Sequence, residues 1–241
     1  MDREYCRWHS PRLNRDMELL VFGHAGAKVL VFPTRDGKFW EYEALGIVGR
    51  LAPKIEAGQL QLYCIDNLAD ETFYGRQHPA DRIRRHAAFE DYVLHEVLPL
   101  MAAKNSHPAT IAHGCSLGAY YAAALALRHP HLFAKLVAFS GRYDLTLRVE
   151  SFDDLLGGYY DDAVYFHTPT HFLPGLGCDW QLESLRRLDI VLTVGAEDPF
   201  IDNNRHLSRL LRDKGVQHSL YVWDGRAHRG KSWRDMAPLY V

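Results

Sequence analysis

The sequence has no apolar run near the roughly 18 residues that a membrane-spanning helix requires, which excludes an integral helical membrane protein. Its opening residues, MDREYCRWHSPRLNRD, hold no apolar core of the kind a secretory signal carries. The expectation is a cytoplasmic protein with no membrane partner. An excess of one charge is also missing: 28 Lys and Arg stand against 30 Asp and Glu, and the basic residues are scattered. That distribution provides no electrostatic footprint for nucleic acid, so no nucleic-acid partner is expected. Cysteine is scarce. Cys6, Cys64, Cys115 and Cys178 lie far apart with no Cys-x-x-Cys pair, which excludes a disulfide framework and points to reduced structural thiols. Histidine is plentiful at 14, yet His-Glu-x-x-His is absent, and the nearest pairs, His129/His131 and His167/His171, sit beside prolines. Neither a metal nor a cofactor is expected. Repeats, low-complexity tracts and linkers are absent as well, so residues 1–241 are expected to form one domain.

What is present is an alternation of short apolar runs and longer helical patterns. KVLVFPT (28–34), LQLYCID (60–66), ATIAHGC (109–115), KLVAFSG (135–141), DIVLTVG (189–195) and HSLYVWD (218–224) have the aliphatic and β-branched content of strands. Several are apolar on both faces, as strands between two helix layers must be, and this implies a mostly parallel sheet. REYCRWHS and MELLVFG, separated by PRLNRD, predict an antiparallel hairpin at the start. Helices are predicted at about 40–57, 81–103, 117–128, 203–214 and 231–239. The resulting fold class is α/β, with helices on both faces of the sheet. Residues 144–188 break the rhythm as an insert or lid. A short helix is expected there at SFDDLLGG, followed by irregular chain through YYDDAVYFHTPTHFLPGLGCDW.

One stretch carries chemistry. AHGCSLGAY (112–120) places Ser116 in a Gly-x-Ser-x-Gly pattern between a predicted strand and an apolar helix. Chance alone gives such a match roughly 0.05 times in a chain of this composition, so context must decide. Strand, turn and helix are the context in which a serine is presented as a nucleophile on a strained turn. A serine hydroxyl needs a base, and the base needs a carboxylate to fix its tautomer. Asp198 follows the DIVLTVG strand and His228 follows HSLYVWD, each at a strand's carboxyl end, in the order expected for this arrangement. Glu197 is an alternative acid. Cys115, beside the serine, falls on the strand side of the turn and is expected to pack rather than react.

VLVFPTRDGKFWEYE, GCSLGAYYAA, VGAEDPF and AHRGKSWRDM together resemble the esterase D group of α/β-hydrolases, related to S-formylglutathione hydrolases, feruloyl and enterobactin esterases and mycolyltransferases. The resemblance covers nearly the whole chain. It implies an α/β-hydrolase fold of about eight strands and a serine esterase with Ser116 as nucleophile, His228 as base and Asp198 as its orienter. It further implies an oxyanion hole made by the backbone N–H of Leu117 and that of Arg35 or Thr34. The sequence departs from the family at Arg229 and Gly230, where an acid and an aromatic residue are common, and at Ala119. Candidate substrate contacts are Thr34 and the aromatic residues Phe73, Tyr74, Tyr160, Tyr165, Phe166 and Trp180, with His78. The expected partner is a small-molecule ester, with self-association left open. An acyltransferase or thioesterase using the same triad, and a non-catalytic α/β-hydrolase-like binding protein, are alternatives.

Overall fold

The computed structural model describes residues 1–177 and 179–241; Cys178 lies outside them. Eight strands form one sheet in the order β1-β2-β4-β3-β5-β6-β7-β8. The strands are β1 (Arg3–Ser10), β2 (Arg15–Phe22), β3 (Ala27–Phe32), β4 (Leu60–Ile65), β5 (Thr110–Cys115), β6 (Lys135–Phe139), β7 (Asp189–Gly195) and β8 (Ser219–Trp223). β1 and β2 are the expected hairpin, β2 joins β4 antiparallel, and β3 to β8 are parallel.

Period-2 alternation explains the continuous apolar runs. In β3, Leu30 and Phe32 enter one core cluster while Val29 and Val31 enter the other. In β6, Leu136 and Ala138 face the first cluster, and Val137 and Phe139 the second. Each strand therefore serves two layers. Helices Ile47–Glu56 and Gly230–Tyr240 close one side with Leu51, Ile55, Trp233 and Met236. Helix Leu117–Arg128, apolar on every face, lies within the other side, under the long helix that begins at Pro79.

The helices depart from expectation in three places. The segment expected as one helix over 40–57 is interrupted at Gly46, which has a φ of 73°. The covering helix runs from Pro79 to Lys104 with a π turn at Val93–Val97, just before Pro99, which has no N–H to continue the ladder. The insert is the larger correction. SFDDLLGG forms turns rather than a helix, because the Asp154 carboxylate accepts from the N–H groups of Leu156 and Gly158, and Gly157 and Gly158 take positive φ. The stretch after it is helical, at Asp162–His167, Pro169–Gly175 and Asp179–Arg186. Asp161 caps the first of these through the Val164 N–H, and Pro169 takes a first-turn position where no N–H is required. No helix among the described residues is long and apolar enough to cross a membrane.

A histidine is built into the core beneath β5. His113 is fully buried, with Nδ1 2.8 Å from the Val137 carbonyl and Nε2 2.6 Å from the Tyr42 hydroxyl. The carbonyl only accepts, so Nδ1 carries the proton, and the tyrosine donates to Nε2. A second proton would remove that acceptor and place a charge in the core. Burial accordingly pushes the imidazole down to about 4. The folded value lies below the unfolded value of about 6.5, so its stabilising contribution is complete above pH 6.5 and is lost as pH falls toward 4. The expected loss from this group is about 3 kcal/mol, followed by urea denaturation at several pH values. NMR should show the His113 ring neutral at pH 5, and a midpoint above 6 would contradict this.

Candidate active site

β5 ends at Cys115 and helix Leu117–Arg128 begins two residues later, so Ser116 alone makes the turn. It does so at φ 55° and ψ −118°, a conformation that non-glycine residues rarely adopt. The two flanking glycines allow the turn to close. A Cβ on Gly114 would lie 2.3 Å from the backbone of Gly118, and one on Gly118 would lie 2.2 Å from the Phe32 carbonyl oxygen. Three backbones thus meet where β3, β5 and the helix converge. The turn is anchored by the Ser116 N–H, which donates to the Phe139 carbonyl at 2.8 Å.

His228 arrives from the loop after β8. Its Nε2 lies 2.9 Å from Ser116 Oγ, and its Nδ1 lies 3.0 Å from Asp198 Oδ2. The carboxylate can only accept, so Nδ1 carries the proton and Nε2 is left to receive one from the serine. The loops that carry Asp198 and His228 are tied together by main-chain bonds, Ala196 N–H to the Trp223 carbonyl at 2.8 Å and Glu197 N–H to Gly225 at 3.0 Å. Gly195 permits this closeness, since a Cβ there would lie 2.1 Å from the Arg226 carbonyl oxygen. Asp198 is 1 % exposed and its second oxygen accepts from the Phe200 N–H at 2.9 Å, whereas Glu197 points to solvent. Asp198 is therefore the acid that meets the imidazole. The rings of Phe200 and Trp233 flank His228, with centroids at 5.9 and 5.5 Å.

Ser116 and His228 open into a cavity of about 200 Å³, which Thr34, Arg35, Tyr74 and Leu117 also line. The loop after β3 is held by Glu41, whose carboxylate accepts from the Thr34 N–H at 2.7 Å and from its hydroxyl at 2.5 Å, and by Asn67, which donates to the Thr34 and Gly37 carbonyls. The Thr34 amide is thereby occupied. The amides of Arg35 and Leu117 have no acceptor among the described residues. Cys115 is buried in the opposite core cluster, where desolvation pushes its thiol well up, and it takes no part in the cavity.

Several sequence candidates lie elsewhere. Trp180 is 59 % exposed and packs on His131, not on the cavity, so its assignment as a substrate contact is corrected. Tyr160 and Phe166 are exposed on the insert, Tyr165 packs against Phe166, and His78 caps the helix at Pro79 through the Ala80 N–H. Phe73 is buried against Tyr120 and Tyr121 and borders an adjoining cavity rather than this one. The cavity instead uses Arg142, Phe152, Phe200 and Trp233. Phe200 had a signal in EDPF, and Arg142 follows the carboxyl end of β6, a position that collects ligands in such sheets.

His86, Glu90 and His167 come close enough to share a metal ion. Glu90 already pairs with Arg128 at 2.6 Å and meets His129 at 3.1 Å, so its charge is satisfied without one. Burial pushes His86 well down and keeps it neutral.

The Esterase family model, described as "Putative esterase", matches residues 10–236. The chain belongs to this family. It is an enzyme of the hydrolase class, and the family implies small-molecule ester substrates. No curated protein matches the sequence. Among solved structures, this esterase is similar to a ferulic acid esterase, with a TM-score of 0.73, 15% identity and coverage of 97% of this chain and 94% of that one. An S-formylglutathione hydrolase from Agrobacterium tumefaciens gives a TM-score of 0.72 at 15% identity, covering 98% and 91% of the two chains. The enterobactin esterase from Shigella flexneri gives 0.65 at 23% identity, covering all of this chain but 60% of that one. At these identities the likeness is one of fold.

Two glycines of the esterase predict opposite outcomes. Gly118→Ala places a methyl group against fixed backbone and is expected to lower stability by more than about 4 kcal/mol or to prevent soluble expression. Gly49→Ala, in a helix with nothing within 4 Å of the new methyl, is expected to raise stability by about 1 kcal/mol. Urea denaturation of both variants checks the pair.

Proposed function

We propose that this protein is a serine esterase that hydrolyses carboxylic esters through an acyl-enzyme on Ser116. The observation that carries the reading is the continuous hydrogen-bond chain from Ser116 Oγ through His228 to Asp198. In the proposed reaction, His228 Nε2 takes the serine proton as Oγ attacks the ester carbonyl, and Asp198 stabilises the imidazolium that forms. The amides of Leu117 and Arg35 are proposed to hold the oxyanion. Both lack an acceptor, both border the cavity, and Leu117 opens a helix whose N-terminal dipole favours negative charge. The imidazolium then protonates the departing alcohol. Water, deprotonated by the same histidine, attacks the acyl group, and collapse of the second tetrahedral intermediate returns the proton to Ser116.

The insert is proposed to act as one wall of the site rather than as a binding platform for aromatic groups. It contributes Phe152, while its exposed aromatic residues face away from the cavity. Residues 1–241 are proposed to work as one domain, because both core clusters are built on the same sheet. The exposed Arg229 does not displace His228 from either partner, which favours a catalytic over a binding-only role.

Hydrolysis of p-nitrophenyl acetate and butyrate tests the reading. Ser116→Ala is expected to reduce kcat by about 10⁶-fold and Asp198→Asn by about 10⁴-fold, with little change in KM. Hydrolysis by Ser116→Ala at the wild-type rate would overturn the assignment.

A further inference from the structure

A second cavity, of about 350 Å³, adjoins the one at Ser116 and shares Arg35, Tyr74, Arg142 and Phe152 with it. Three arginines line it, Arg35, Arg82 and Arg142. Arg142 is 5 % exposed. Its Nε donates to the Asp144 carbonyl at 2.9 Å, and its Nη2 to the carbonyls of Leu145 at 3.3 Å, Asp153 at 2.8 Å and Leu147. These bonds fix the plane of the group, with the Phe200 ring centroid 6.0 Å from its central carbon, but bring no carboxylate to it. Because a guanidinium is rigid, they also fix the direction of Nη1, whose two N–H groups have no partner among the described residues.

Arg82 is held in the same manner, with Nη1 donating to the Phe73 and Leu155 carbonyls at 2.9 and 3.0 Å. Its Nε is buried and unpartnered. Arg35 is exposed with its guanidinium 5.0 Å from the Tyr74 ring centroid, and among the described residues it alone of the three is salt-bridged, to Asp36 at 2.9 Å. Of the three carboxylates nearby, two are held by other groups. Asp154 accepts from the N–H groups of Leu156 and Gly158, and Asp144 accepts from Thr146 and faces His171. Asp153 and Asp154 also line the cavity and act on Arg142 through space, but neither forms an ion pair with Arg82 or Arg142. Burying a cation with no carboxylate in direct contact is costly, and preorganised N–H donors on a cavity wall suit an anion.

We propose that this second cavity is an anion subsite centred on Arg142, and that the esters cleaved at Ser116 carry a carboxylate or phosphate group. The inference rests on the esterase reading above. An anion seated there would accept from Arg142 Nη1 and gain the fields of Arg82 and Arg35, while the ester carbonyl reaches Ser116 through the shared boundary of the two cavities.

The test compares matched esters within each enzyme, so that partial loss of folded protein cancels. The pairs are 4-nitrophenyl hemisuccinate against 4-nitrophenyl valerate, and 4-phosphonooxyphenyl butyrate against phenyl butyrate. In the wild type, at least one charged member is expected to exceed its neutral partner at least 10-fold in kcat/KM. Arg142→Met is expected to reduce that ratio by about 10- to 100-fold, the range for one charge-assisted hydrogen bond. Equal ratios in wild type and variant, or no charged preference in the wild type, would overturn the proposal. Should Arg142→Met fail to fold, Arg35→Gln at the exposed edge is expected to lower the ratio several-fold, and an unchanged ratio overturns the proposal.

Binding separates this inference from the chemistry it rests on. Ser116→Ala protein is titrated calorimetrically with monomethyl succinate and, separately, with inorganic phosphate. Saturable binding of either, weakened at least 10-fold by adding Arg142→Met, supports the subsite even if no ester is turned over, and shows which anion it takes. Absence of binding to both overturns it, whatever the outcome at Ser116.

Discussion

The close approach of the β3, β5 and helix backbones at Phe32, Gly114 and Gly118 is the constraint on which the site depends. With no Cβ on either glycine, the helix start can press against the end of β3, and Ser116 is left as the single residue between strand and helix. The same approach places the first amides of the helix beside the loop after β3, where the Arg35 amide is free because Glu41 and Asn67 hold the rest of that loop. Strain at one residue is thereby offset by an apolar helix packed against one face of the sheet, a common use of over-determined backbone at functional sites.

Around that turn the protein arranges charge with little freedom. Asp198 is buried, shares its oxygens between His228 and the Phe200 amide, and is carried by a loop bonded to the histidine's own loop. Moving His228 away would leave a buried carboxylate without its partner, so geometry at the serine is coupled to stability elsewhere. On the far side of the cavity Arg142 is fixed with similar economy, by carbonyls of the insert. The insert thus shapes the site through its main chain and Phe152, while Tyr160, Tyr165, Phe166 and Trp180 serve other contacts.

Much of the fold was legible because its signals are local and periodic. Runs such as KLVAFSG and DIVLTVG read as buried strands since each alternates between two apolar layers, and the strand-turn-helix context of Ser116 is continuous in the chain. The order of Ser116, Asp198 and His228 was legible for the same reason, each falling at a strand's carboxyl end. The insert was not. Its helices are set by single capping groups, Asp161 and Pro169, against a background of helix-breaking residues, and Trp180 looked like a substrate contact only because its composition suits one. Arg142 was not legible, because its placement comes from four carbonyls spread over residues 144–153, a pattern that no spacing rule reveals.

The central claim is that the Ser116 hydroxyl is made nucleophilic by His228. Intact-mass measurement with a fluorophosphonate probe, followed by peptide mapping, tests it most directly. One adduct on the peptide carrying Ser116, formed readily by the wild type and slowed by orders of magnitude in His228→Ala, is the predicted result. An unmodified protein, or an adduct at any other residue, would contradict the account.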